Sequence, residues 1–146
     1  MSLFNFKSQK PLIMVVDDDF TLLDMYETFL EALNCRVIKV LGSKQALAMA
    51  EKHKPQLILL DIIMPGLTGL QVLEGLKQKP STKSIPVLMI TAEQRVKDFE
   101  TAFRLGAVDY MVKPTDYTHF EQKITALLSS IGCSLPGAVK PAPTDK

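Results

Sequence analysis

The chain has no excess of charge of either sign: Lys and Arg total 17, Asp and Glu 16, over 146 residues. That balance excludes the bulk positive field that draws proteins onto nucleic acid or acidic membrane surfaces. No apolar run approaches membrane-spanning length, and the N-terminal MSLFNFKSQK lacks the continuous apolar core of a secretory signal. The expectation is a cytoplasmic protein that makes no direct contact with DNA. Cysteine is scarce. Cys35 and Cys133 lie far apart without His or Cys at metal-ligand spacing, which favours reduced structural thiols over a disulfide or a zinc site. The two histidines, His53 and His119, are isolated in or beside predicted helices and read as surface side chains.

What is present is an ordinary globular composition, 47% hydrophobic and 23% charged, in a length suited to one domain with a real core. Short aliphatic runs recur at 12–16, 36–40, 57–60, 87–90 and 108–112, each readable as a buried strand. Helical stripes lie between and after them: Leu22, Met25, Tyr26, Phe29 and Leu33; Ala46, Leu47 and Ala50; Leu70, Leu73 and Leu76; Val96, Phe99 and Phe103; Phe120, Ile124, Leu127 and Ile131. Five strands alternating with five helices predict an α/β fold whose parallel sheet is covered on both faces, because parallel strands need crossover helices. Asn34, Gly42, Pro55, the Pro80 to Pro86 stretch, Gly106 and Pro114 fall between these elements as breakers. Residues 1–9 read as an extension whose Phe4 and Phe6 can pack onto the domain, 10–131 as the domain, and 132–146 as a flexible tail or linker rich in Pro, Gly and small residues.

In an open parallel sheet, ligands bind beyond the carboxyl ends of the strands. There the sequence places Asp17, Asp18 and Asp19 after the first strand, Asp61 after the third, Thr91 after the fourth and Lys113 after the fifth. Asp19, just before FTLLDMY, is best read as a helix N-cap. Carboxylates at 17, 18 and 61 converging on one crevice would repel one another, and a divalent cation would offset them. Mg²⁺ prefers such hard oxygen ligands, one or two carboxylates with waters and phosphate oxygens. An ammonium and a hydroxyl on the same edge suit a phosphoryl group, and a lone carboxylate ending the central strand suits a nucleophile.

VVDDD at 15–19, LLDIIMPGLTG at 59–69, MITA at 89–92 and GAVDYMVKP at 106–114 together resemble the receiver domain of two-component response regulators, the module that includes the single-domain chemotaxis regulators. The resemblance spans about residues 10 to 131. It implies a flavodoxin-like, doubly wound five-stranded parallel sheet in the order 2-1-3-4-5 with five helices. It further implies Asp61 as phosphoacceptor, Mg²⁺ held by Asp18 directly, Asp17 mainly through water, Asp61 and the backbone carbonyl of Ile63, and phosphoryl contacts from Thr91 and Lys113. Tyr110 falls at the aromatic switch position, turning inward behind Thr91 to remodel the face of the fourth helix, fifth strand and fifth helix. The peptide bond before Pro114 is usually cis in the family. The implied partners are a sensor histidine kinase or phosphotransfer protein and an unidentified downstream protein, with dimerisation through the switching face known among members.

Thr68 stands where the family more often has Asp or Asn, yet Thr also caps a helix beginning near Gly69. Ile63 and Glu93 flank the path expected for an attacking water. The run EQRVKDFE at 93–100 reads as a solvated helix face that in this family also recruits partners. Three other readings stay open: an aspartate-nucleophile phosphatase of the haloacid dehalogenase type, although its usual second Asp is Ile63 here; a receiver belonging to a larger regulator or histidine kinase; and a receiver-like interaction module independent of phosphorylation. On the leading reading the chain promotes only its own phosphorylation and dephosphorylation and is not a turnover enzyme.

Overall fold

In the computed structural model, which describes residues 10–92, 96–113, 115–133 and 135, the most continuous apolar runs form the inner strands β1 (Leu12–Asp17), β3 (Leu57–Asp61) and β4 (Val87–Thr91). The more polar runs form the edges, β2 (Arg36–Leu41) and β5 (Asp109–Val112). All pairs are parallel, in the order β2-β1-β3-β4-β5. This is the doubly wound flavodoxin-like order expected above. β3 and β4 are buried throughout, whereas β2 buries only Val40 and β5 only Met111. Full burial, predicted for all five runs, therefore fails at both edges, where a strand has one neighbour and less helix above it.

Four crossover helices and a final helix after β5 complete the fold: α1 (Phe20–Ala32), α2 (Ala46–His53), α3 (Gly69–Gln78), α4 (Val96–Arg104) and then α5 (Tyr117–Ser130). Strand alternation divides the core into two layers. Ile13, Val15, Leu57, Leu59, Leu88, Ile90 and Met111 face α1 and α5, whereas Met14, Val16, Ile58, Leu60, Val87 and Met89 pack against α2, α3 and α4. The helical stripes hold with shifted centres. On α1 the buried line is Leu23, Tyr26 and Leu30, with Leu22, Met25 and Phe29 flanking it; on α5 it is Phe120, Ile124 and Leu128. Phe103 and Ile131, predicted to lie on buried stripes, are exposed, and Ala102 takes the inward place on α4. The Val96 side chain lies outside the described residues.

Local chemistry sets the helix ends. Asp19 is the N-cap of α1, accepting from the backbone N–H groups of Thr21 and Leu22. Thr68 and Gln71 form a reciprocal capping box on α3, so the departure at Thr68 costs the helix nothing. α5 runs through Ser130, and Cys133 and Leu135 pack against the α1/α5 layer; residues 1–9, 134 and 136–146 lie outside the described residues, Phe4 and Phe6 among them. Both cysteines are free, Cys35 buried and Cys133 partly so. No helix of the described residues is long and apolar enough to cross a membrane.

Gly69 connects the fold to the sheet edge. Its N–H donates to the Ile62 carbonyl at 2.7 Å, and a Cβ there would overlap the Asp61 carbonyl oxygen and stand 2.7 Å from the Ile62 Cα. Both obstacles are backbone, which cannot rotate away. Gly69→Ala is expected to destabilise the chain by about 2–3 kcal/mol, the upper part of the overpacking range, measured by urea unfolding; wild-type stability would show that the α3 entry yields freely.

Candidate functional site

The carboxyl edge of the sheet gathers the polar residues that the sequence places after its strands. Asp17 ends β1 and Asp61 ends β3, and by alternation both side chains project on the α1/α5 side of the sheet. The two are nearly inaccessible, 1% and 4% exposed, while Asp18 is exposed. One carboxylate oxygen from each of Asp17, Asp18 and Asp61 lies within 4.8 Å of the others. Lys113, just past β5, reaches between two of them: its Nζ donates to Asp17 Oδ2 at 2.9 Å and lies 3.3 Å from Asp61 Oδ1.

Each position is fixed by backbone contacts. The Asp19 N–H donates to Asp17 Oδ1 at 2.9 Å, and the Gly42 N–H to the Asp17 carbonyl at 2.8 Å. The Ile62 N–H donates to the Ile90 carbonyl at 3.0 Å, and the Lys113 N–H to the Thr91 carbonyl at 2.7 Å. Ser43, at the start of the β2–α2 connection, donates through Oγ to the Pro65 carbonyl at 3.2 Å and ties two rim loops together. Thr91 ends β4 fully buried. Ile63 is exposed just beyond Asp61. Glu93 and Pro114, named in the sequence reading, lie outside the described residues.

Electrostatics follow from placing like charges out of water. Burial, then the neighbouring Asp17 charge, pushes the Asp61 carboxyl up to about 6, with Lys113 pulling the other way and Asp18 adding to the rise. Burial also opposes the Lys113 charge, but the hydrogen bond and charge of Asp17, followed by those of Asp61, outweigh it and hold the ammonium above its ordinary range. One ammonium thus contacts two carboxylates of a cluster of three. The set retains net negative charge and presents oxygen atoms only, the donor chemistry that a small divalent cation such as Mg²⁺ satisfies.

Tyr110 sits apart from this cluster on the α2/α3/α4 side. Its ring stacks on Phe99 of α4 with centroids 4.0 Å apart and meets Phe103 edge-on at 5.9 Å. His53 ends α2 and His119 lies in the first turn of α5, both away from the acidic edge in sequence and outside its bonds. The Tyr26 hydroxyl is what sequence reasoning did not single out, although the residue holds its predicted place on the buried α1 stripe. Counted as one more core stripe member, it is fully buried with a hydroxyl that has no hydrogen-bond partner among the described residues. Its one signal was a polar tip on an apolar stripe.

A family model described as Response regulator receiver domain matches residues 13–125. Protein PilH of Pseudomonas aeruginosa is 34% identical over 117 residues, covering 80% of this chain and 97% of PilH. The alkaline phosphatase synthesis transcriptional regulatory protein PhoP of Bacillus subtilis is 33% identical over 126 residues, covering 86% of this chain and 52% of PhoP. The chain spans about half the length of the transcriptional regulators it matches. Among solved structures, the signal receiver domain of a DNA-binding response regulator from Colwellia psychrerythraea gives a TM-score of 0.76 at 26% identity, covering 82% of this chain and 99% of that one. Chemotaxis protein CheY4 of Vibrio cholerae shares the fold, with a TM-score of 0.78 at 24% identity over 82% of this chain and all of CheY4.

The raised Asp61 value has a definite sign. Because the folded carboxyl titrates near 6 and the unfolded one near 3.8, the folded state holds the proton more tightly between these values. Stability from this group therefore falls as pH rises through that window, and the full penalty is present above about 6. In metal-free buffer at pH 7, Asp61→Asn is expected to be more stable than wild type by about 1–3 kcal/mol. The gain should shrink towards pH 4. Thermal unfolding of both proteins across that range measures it, and an Asn variant less stable at every pH would refute the strained-carboxylate account.

Proposed function

The chain belongs to the response regulator receiver family of two-component signalling, and from that premise we propose that Asp61 accepts a phosphoryl group and thereby switches a partner-binding surface. The observation that carries this is the Asp61 carboxylate itself, buried at the end of the central strand beside Asp17 and against the Lys113 ammonium. An Asp61 oxygen attacks phosphorus while the P–N bond of a phosphohistidine donor breaks. The electron pair leaves with the imidazole nitrogen, and an acyl phosphate remains on Asp61.

Asp17, Asp18, Asp61 and the backbone carbonyl of Ile63 would hold Mg²⁺, which offsets the charge of carboxylates and phosphoryl oxygens as they approach. Lys113 leaves its bond to Asp17 for a phosphoryl oxygen, and the Thr91 hydroxyl donates to another. Apolar walls of Val15, Leu59 and Ile90 keep the nucleophile in one position. Water later attacks phosphorus past Ile63, the bond to the Asp61 oxygen breaks, and inorganic phosphate leaves as the carboxylate is restored. The chain thus promotes its own phosphorylation and dephosphorylation and turns over no separate substrate.

On this reading the phosphodonor is a sensor histidine kinase or phosphotransfer protein in the cytoplasm. The output face is α4, β5 and α5, where movement of Tyr110 away from Phe99 would change the surface offered to a protein partner or to a second copy. A longer form of the same function is supported by the transcriptional regulators, of which this chain matches about half. There a receiver of this kind would act on a further domain.

Incubation with a small acyl phosphate and Mg²⁺, followed by intact-protein mass, tests the reading. Wild type is expected to gain one phosphoryl group, and neither Asp61→Asn nor a chelated sample should gain any. Equal phosphoryl gain by Asp61→Asn would overturn the assignment.

A further inference from the structure

Tyr26 is an expensive choice for a place that phenylalanine would fill. Its ring stacks on Phe120 of α5, centroids 5.6 Å apart, within the α1/α5 layer, and a phenyl ring would keep that contact. Tyrosine adds a hydroxyl that is buried and, among the described residues, unpartnered. Such a group weakens the fold unless another state of the protein uses it.

Three geometric facts direct that hydroxyl to the acidic edge. Tyr26 lies in the layer towards which Asp17 and Asp61 project, since both continue the alternation of Ile13, Val15, Leu57 and Leu59. α1 begins at that edge, capped by Asp19, and long helical side chains lean towards the helix N-terminus. Seven residues at about 1.5 Å each put the Tyr26 Cα roughly 10 Å along the axis from that cap, and the side chain leans back along this path. The hydroxyl also feels the site: burial first, then the charges of Asp17, Asp61 and Asp19 in that order, oppose its ionisation and keep it a neutral donor.

Asp17 supplies the use. Its Oδ1 is held by the Asp19 N–H, but its Oδ2 depends on Lys113. A divalent cation entering among the carboxylates repels the Lys113 ammonium, and a phosphoryl group draws it off; in either case Oδ2 loses its donor just when the carboxylate must stay aimed at the cation. We propose that Tyr26 is a positioning residue for the acidic site, its hydroxyl taking over the Asp17 carboxylate when Lys113 is drawn away. This rests on the reading of Asp61 as an Mg²⁺-dependent phosphoacceptor.

Tyr26→Phe in the full chain separates this role from packing. Removal of an orphaned hydroxyl should leave the thermal midpoint unchanged or raised. The Mg²⁺ affinity, by titration calorimetry at pH 7, is expected to fall roughly tenfold, the usual scale for a group that orients a metal ligand. Phosphorylation by an acyl phosphate should then need about tenfold more Mg²⁺ for half-maximal rate, while the rate at saturating Mg²⁺ stays within about twofold of wild type. The chain has three tyrosines and no tryptophan, so near-UV absorbance reads the hydroxyl directly. Mg²⁺ should perturb the wild-type tyrosine spectrum, and Tyr26→Phe should lose most of that change.

A folded Tyr26→Phe that binds Mg²⁺ as wild type does would overturn the inference and leave the phosphoacceptor reading intact. So would a wild-type spectrum unmoved at saturating Mg²⁺, a result that needs no variant. Failure of the wild type to bind Mg²⁺ at all would overturn both.

Discussion

The structure turns on a repulsion that it holds in place. Asp17 and Asp61 are carried out of water at the ends of adjacent strands, and Asp18 joins them from the rim. Left alone, such a group would keep a proton or splay apart. Neither Asp17 nor Asp61 can withdraw, because each ends a strand whose other residues are locked into the sheet by parallel pairing on both sides. Lys113 relieves part of the strain and leaves the remainder as a standing demand for a second cation.

The two-layer core separates the acidic edge from the aromatic cluster around Tyr110. Asp17, Asp61 and Lys113 continue the alternation that faces α1 and α5, while Tyr110 lies on the opposite side among the rings of α4. On the proposed function, chemistry and surface change therefore fall on opposite faces of one sheet. β4 lies between them, and its last residue, Thr91, accepts the Lys113 N–H through its carbonyl. Gly69 serves the same economy of space, letting α3 start against the Asp61 backbone where no side chain fits.

Much of this was legible in the residues. Short apolar runs, four of the five followed by polar residues, pointed to the parallel sheet and the edge at which Asp17, Asp61, Thr91 and Lys113 meet, and the caps at Asp19 and Thr68 followed from their side-chain chemistry. Burial at the sheet edges was not legible, because RVIKV reads as an inner strand until strand order puts it outermost. Nor was the phase of the stripes: an apolar face wider than 100° leaves its centre free to shift by a residue, which is how Leu23 and Leu30 took the centre from Leu22 and Phe29 and how Phe103 came to the surface. The bond of Lys113 to Asp17 joins residues 96 positions apart and has no local signature. Tyr26 passed for a core aromatic because periodicity weighs the ring and ignores the hydroxyl.

The account stands on one cation site at the carboxyl edge of the sheet. Backbone amide NMR during Mg²⁺ titration at pH 7 tests it most directly, since it reports where the ion goes as well as whether it binds. Saturable shifts centred on Asp17, Asp18, Asp61 and the residues following Asp61, quenched together by Asp18→Asn, are the predicted result. Shifts absent there, or scattered over surface carboxylates such as Asp24 and Glu27 beside Lys39, would contradict it.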